Sequence, residues 1–157
     1  MKIKLNSIIE WCISILIVIV FLYGMFFSAP ANAEEFLKNR IDLICCTYHF
    51  DRTTDYTEIN LGGRYSRYLT EGVALDIGYY NNSEGGKSAI LGMSREIKVS
   101  KNVRLSIGAG FVSGYERGTI PYILPMISYK ERVNLILIPL PGEYGGGVNL
   151  SFTLVKF

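Results

Sequence analysis

From residue 43 onward, apolar residues recur at every second position in a succession of runs, with small or polar residues between them. The fifth run shows the pattern most clearly. Val103, Leu105, Ile107, Ala109 and Phe111 fall on one face, and Arg104, Ser106, Gly108 and Gly110 fall on the other. The third run sets Val73, Leu75, Ile77 and Tyr79 against Ala74, Asp76 and Gly78, and the last sets Val148, Leu150, Phe152 and Leu154 against Asn149, Ser151 and Thr153. A period of two is the signature of strands with one face wet and one face dry, and no period of 3.6 competes with it. The runs predict eight strands, at residues 43–50, 58–68, 73–81, 88–99, 103–114, 120–129, 133–140 and 147–157.

A soluble β-sandwich would alternate in the same way. Strand length favours a barrel in a membrane, because a tilted spanning strand needs ~9–11 residues and eight strands make the smallest such barrels. Closure also removes sheet edges that lipid cannot satisfy. The last strand ends on an aromatic, Phe157, as many outer-membrane barrels do. The predicted class is therefore all-β, an eight-stranded antiparallel transmembrane β-barrel over residues 43–157. An even strand count puts both termini on one side. The connections on that side, 69–72, 100–102 and 130–132, are short, and those opposite, 51–57, 82–87, 115–119 and 141–146, are longer. Short turns are expected in the periplasm and longer loops outside.

The N-terminus reads as an export signal. Lys2 and Lys4 precede an apolar run from Trp11 to Phe27, and Ala31-Asn32-Ala33 offers a small-x-small cleavage site. An uncleaved anchor is the other reading, since the run nearly reaches the ~17 residues that span a bilayer. Cleavage after Ala33 leaves a short periplasmic segment, 34–42, ahead of the barrel. Together these place the protein in the outer membrane of a Gram-negative-type bacterium. Losing Lys2, Lys4 and Glu10 with the leader leaves 14 of 16 basic and 13 of 14 acidic side chains, a balance that gives no reason to expect nucleic acid. Cys45 and Cys46, adjacent on a strand, are expected on opposite faces as small wall residues. With one His and no zinc-like Cys spacing, no metal site is expected.

That single His, His49, ends the first strand at the loop-side rim, and Asn82 and Ser83 open the second loop on the same rim. An imidazole within reach of a hydroxyl can polarise it for acyl transfer, although a rim His and a loop Ser are more often simply solvated.

The run Cys46-Thr-Tyr-His-Phe-Asp51, together with residues 105–157, resembles the PagP-type lipid A palmitoyltransferases. The C-terminal half carries Ile120-Pro-Tyr-Ile-Leu-Pro-Met126, Leu137-Ile-Pro139 and Pro141-Gly-Glu-Tyr-Gly-Gly-Gly-Val148 in matching order. The resemblance implies an eight-stranded outer-membrane enzyme, acting as a monomer without metal or cofactor. It would move an acyl chain from a phospholipid donor to a lipid A acceptor. It implies His49 as general base, Ser83 as its polar partner, and Asn82 where the family has Asp. Pro125 and Pro139 would loosen the pairing of the sixth and seventh strands, so that an acyl chain can pass sideways into the barrel. Ser94 would stand where the family has a Gly at the floor of the acyl pocket, which predicts a shorter accepted chain. The family's prolines beside the first two strands have no counterpart here, and its N-terminal amphipathic helix shrinks to residues 34–42. The seventh run, Val133-Asn-Leu-Ile-Leu-Ile-Pro139, is apolar on nearly both faces, so the interior is expected to be apolar. Two further readings are a barrel that kept the fold without the activity and, less favoured, a small pore.

Overall fold

The alternation resolves into a closed ring. In the computed structural model, residues 39–51, 55–139 and 146–157 are described, all within the compact unit Asn32–Phe157. The leader, most of the segment 34–42 and part of the last loop lie outside the described residues. The strands are β1 (Arg40–His49), β2 (Ile59–Thr70), β3 (Val73–Asn81), β4 (Lys87–Lys98), β5 (Val103–Tyr115), β6 (Gly118–Tyr129), β7 (Val133–Ile138) and β8 (Gly147–Lys156). Each pairs antiparallel with its neighbours in sequence, and β8 returns to pair with β1. Asn39 and Phe157 seal the closing seam with two backbone hydrogen bonds, of 2.7 and 3.0 Å.

The faces are inverted relative to a soluble protein. Leu43, Leu61, Ile77, Leu91, Leu105, Ile127, Leu135 and Leu154 are exposed on the outer wall. Tyr48, Phe50, Tyr79 and Phe111 are exposed toward the loop end of that wall, and Tyr129 and Phe157 at the terminus end. An apolar band between two aromatic belts is the outer wall that a bilayer requires.

Three expectations about the elements change. The barrel starts at Arg40 rather than residue 43, because Arg40 and Asp42 carry inward side chains that belong to the strand pattern. The third loop-side connection is only Glu116-Arg117, closed by Gly118 at φ +84°, instead of a five-residue loop. β7 stops at Ile138, so Pro139 follows the strand instead of interrupting it.

A fourth change concerns β1. Both of its ladders shift register between Ile44 and Cys46, a β-bulge that puts two successive residues on one side. Arg40, Asp42 and Ile44 point inward before it, and Thr47 and His49 after it. Cys46 pairs with Ile59 and Leu150, both on the outer wall, and Cys45 follows the inward Ile44. Both cysteines therefore face outward, not to opposite sides, and both are free thiols of intermediate burial.

The expected apolar interior is also corrected. The terminus half of the lumen is filled by charge. Arg40 bridges Asp42 (3.1 Å) and Glu96 (3.0 Å), Arg64 bridges Asp42 (2.6 Å), and Arg104 bridges Glu96 (3.0 Å) and also Glu131 of the β6–β7 turn. A second chain of donors runs from Ser128 to Asn134 (2.7 Å), from Asn134 to Thr153 (3.1 Å) and from Thr153 to Asp42 (2.7 Å). These contacts join β1, β2, β4, β5, β6, β7 and β8. Buried charge is tolerated only when paired in this way, and the pairing fills one end of the barrel.

Candidate functional site

Above the charged layer the lumen opens into a cavity of about 310 Å³ that extends to the loop-side rim. Its walls are mainly apolar: Ile90, Val112, Ile120, Leu124, Ile136 and Ile138, with the Tyr122 ring among them. Gly92 makes room for that ring, since a Cβ at this position would collide with the Tyr122 hydroxyl. Ser94, Ser106 and Gly108 line the deeper part, and the next inward position on β4 after Ser94 is Glu96 of the charged layer. The cavity is thus blind toward the termini.

His49 and Ser83 both line this cavity at its loop end, so the structure brings together the two residues singled out for chemistry. The β1–β2 connection links them. Tyr56 stacks on the His49 ring at 4.4 Å between centroids, and the N–H of the next residue, Thr57, donates to the Ser83 carbonyl at 2.9 Å. Ser83 shares this end of the cavity with Tyr115, whose hydroxyl lies 2.9 Å from that of Tyr80. An imidazole, a serine and a pair of phenols therefore share one partly dry rim. Imidazole can take a proton and phenols can donate hydrogen bonds to a developing oxyanion, which suits acyl transfer.

Asn82 has different neighbours. It is fully buried, and its carboxamide is saturated by the β3–β4 turn. Its nitrogen donates to Ser88 Oγ (3.1 Å) and to the Gly114 carbonyl (2.7 Å), while its oxygen accepts from the N–H groups of Glu84 (3.1 Å) and Gly86 (2.8 Å). All four bonds an amide can make are used. Asn82 holds the turn that presents Ser83 and is a positioning residue.

Ser94 sits inside, buried, and lines the cavity where a floor residue is expected. The prolines meet at one seam. β6 and β7 pair only from Met126–Ile136 to Tyr129–Val133, and the ladder ends at the residue before Met126, which is Pro125. Lys130 N–H points to Asn102 on the β5 side, so by alternation the N positions of Tyr129, Ile127, Pro125, Ile123 and Pro121 point toward β7. Pro125 and Pro121 both lack the hydrogen that β7 would need. Pro139 follows the end of β7 and also lines the cavity. Sequence reasoning named Pro125 and Pro139 but passed over Pro121, whose spacing of four from Pro125 placed it on the same strand edge. It also passed over Tyr56, Tyr80 and Tyr115, because their meeting depends on which strands close the ring.

No family model and no curated protein matches the chain. Among solved structures it is similar to a transmembrane β-barrel made by de novo design, with a TM-score of 0.56 at 17% identity over 78% of this chain and 100% of that one. A second de novo designed barrel, TMB2.3, solved by NMR in solution, matches with a TM-score of 0.52 at 16% identity over 78% of this chain and 98% of that one. These likenesses, the outward apolar wall and the closed ring define the class: an eight-stranded transmembrane β-barrel.

Proposed function

We propose that this barrel is an outer-membrane acyltransferase that moves a fatty acyl chain from phospholipid to lipid A. The observation that carries the reading is a blind, mostly apolar cavity with His49 and Ser83 at its open end. His49 acts as general base on the acceptor hydroxyl, and Ser83 with Tyr115 supplies hydrogen bonds near the reacting carbonyl. The unpaired stretch of the β6–β7 seam above Met126 supports lateral admission of the donor chain. The barrel is too narrow and too closed at its base for a water-filled channel, which tells against a pore.

A second reading is favoured by Asn82. With its carboxamide fully engaged in the turn, Asn82 cannot supply the charge that the family's Asp would bring to an imidazolium. On that reading the barrel holds an acyl chain without turnover.

Mass spectrometry of lipid A from cells expressing the protein separates the two. The enzyme reading expects an added acyl chain in wild type, its loss in His49→Ala, and a large drop in Ser83→Ala. A wild type that adds nothing while lipid co-purifies with the folded barrel supports the second reading.

A further inference from the structure

The net charge of +2 conceals a strong separation along the barrel axis. Three cations (Arg40, Arg64, Arg104) and three carboxylates (Asp42, Asp76, Glu96) are inside the lumen, where they cancel. The other charges of the described residues divide between the rims. The terminus rim carries Arg67, Arg95, Lys98, Lys101, Lys130, Arg132 and Lys156 against Glu71 and Glu131. The loop rim carries Asp51, Asp55, Glu58, Glu84 and Glu116 against Lys87 and Arg117. One end is therefore strongly basic and the other acidic.

The basic end has a centre. Lys98 is exposed at the end of β4, and Lys101, Lys130 and Arg132 are exposed on the β4–β5 and β6–β7 turns, which a hydrogen bond from Lys130 N–H to the Asn102 carbonyl (2.7 Å) holds side by side. The one acid in these two turns, Glu131, is paired with Arg104 and Lys156. The patch borders the apolar wall directly: Ile97, Val99 and Tyr129 are exposed beside it, and the Lys130 ammonium sits 5.4 Å from the Tyr129 ring centroid. Cations at the edge of an apolar band lie at headgroup depth, where their stems stay dry and their charges meet phosphate.

We infer that the terminus rim is a seat for anionic phospholipid headgroups, centred on Lys98, Lys101, Lys130 and Arg132. Phosphate oxygens accept from the four side chains while the lipid tails run down the outer wall past Val99 and Tyr129. The acidic loop rim repels the same headgroups, so the two rims together orient the barrel toward an anionic phospholipid leaflet at its terminus end. This inference does not depend on acyl transfer.

The test equilibrates the full chain, folded in neutral detergent, with equal amounts of phosphatidylglycerol and phosphatidylcholine bearing identical tails, and counts bound lipids by native mass spectrometry. Each Lys or Arg near an anionic surface is worth roughly five-fold in binding. The expected result is a phosphatidylglycerol preference of about ten-fold or more, which half-molar salt weakens. The combined Lys98→Gln, Lys101→Gln, Lys130→Gln, Arg132→Gln variant should lose it, and the loop-rim variant Lys87→Gln, Arg117→Gln should keep it. If the combined variant does not fold, Lys101→Gln and Arg132→Gln alone should each lower the preference. Equal retention of both lipids by wild type, or a preference unchanged by these substitutions, overturns the inference.

Discussion

Asn82 donates its amide hydrogen to the carbonyl of Gly114 at 2.7 Å, tying the end of β3 to β5 beneath the turn that carries Ser83. Gly114 is at φ +90°, and a Cβ there would collide with the Lys87 carbonyl, so both members of the contact are fixed by their surroundings. The substitution Asn82→Asp removes both donors and brings a carboxylate against a carbonyl. Each buried group left unsatisfied costs about 1–3 kcal/mol. The expected outcome is a lower thermal midpoint for the gel-mobility shift between folded and unfolded barrel, with no gain in lipid A acylation. A stable Asn82→Asp barrel with acylation above wild type would show that the residue belongs to the chemistry.

The floor of the cavity should set the length of chain it holds. Ser94 and Gly108 face each other in register across β4 and β5, and both line the cavity. A Cβ on Gly108 meets nothing closer than 3.8 Å, so a side chain there fills space without a clash. Gly108→Met should shorten the preferred chain by about two carbons or more, since each buried CH₂ is worth about 0.8 kcal/mol, and Ser94→Gly should lengthen it. Acyl chain distributions from lipid A or co-purified lipid report this directly. Efficient wild-type transfer of a sixteen-carbon chain would count against Ser94 as a restrictive floor.

The charged layer predicts unequal costs for equal charge losses. Arg40 and its partners Asp42 and Glu96 are 0–4% exposed in their side chains, whereas Lys156 and Glu131 are 20% and 37% exposed. Arg40→Ala leaves Asp42 to Arg64 and Glu96 to Arg104, but the buried layer is then one cation short, which should cost about 3–5 kcal/mol. Lys156→Ala breaks a solvated pair and should cost about 1 kcal/mol or less. Urea titrations of the refolded barrel in one detergent give both values.

Glu131 gives the stability a pH dependence outside the membrane. Partial burial pushes its carboxyl up, but the hydrogen bond and charge of Lys156, followed by Arg104, outweigh this and hold it below the usual value of 4.5. A depressed carboxyl stabilises the fold above its unfolded pKa, and the contribution disappears as pH falls through the folded pKa. Wild type should therefore lose stability below about pH 4.5 relative to Glu131→Gln, with the two curves parallel above it. Curves parallel throughout would remove Glu131 from the account.

The bulge in β1 makes a prediction about thiols. In a Cys12→Ser chain, an apolar maleimide in the membrane should label both Cys45 and Cys46, and a charged, impermeant one should label neither. One adduct per chain would return the pair to opposite faces.

The barrel was legible in the sequence where alternation was regular. Val103 to Phe111 and Val73 to Tyr79 lie on the faces their spacing predicted. The charged layer was not legible, because Arg40, Arg64, Glu96 and Arg104 come from four strands and meet only when the ring closes. His49 and Ser83 were found from their places on one rim, Ser94 only through the family resemblance, and all three share one cavity. Asn82 was read as a displaced acid because the turn bonds that occupy it come from residues up to 32 positions away.

The bulge has a further consequence. Had β1 run regularly on from Ile44, the inward positions would have been Cys46 and Tyr48, and the imidazole of His49 would point into hydrocarbon. A chain could therefore carry Thr47-Tyr48-His49 letter for letter and still place no imidazole in its lumen. The one histidine of the barrel reaches the cavity only because the strand loses step once, three residues before it.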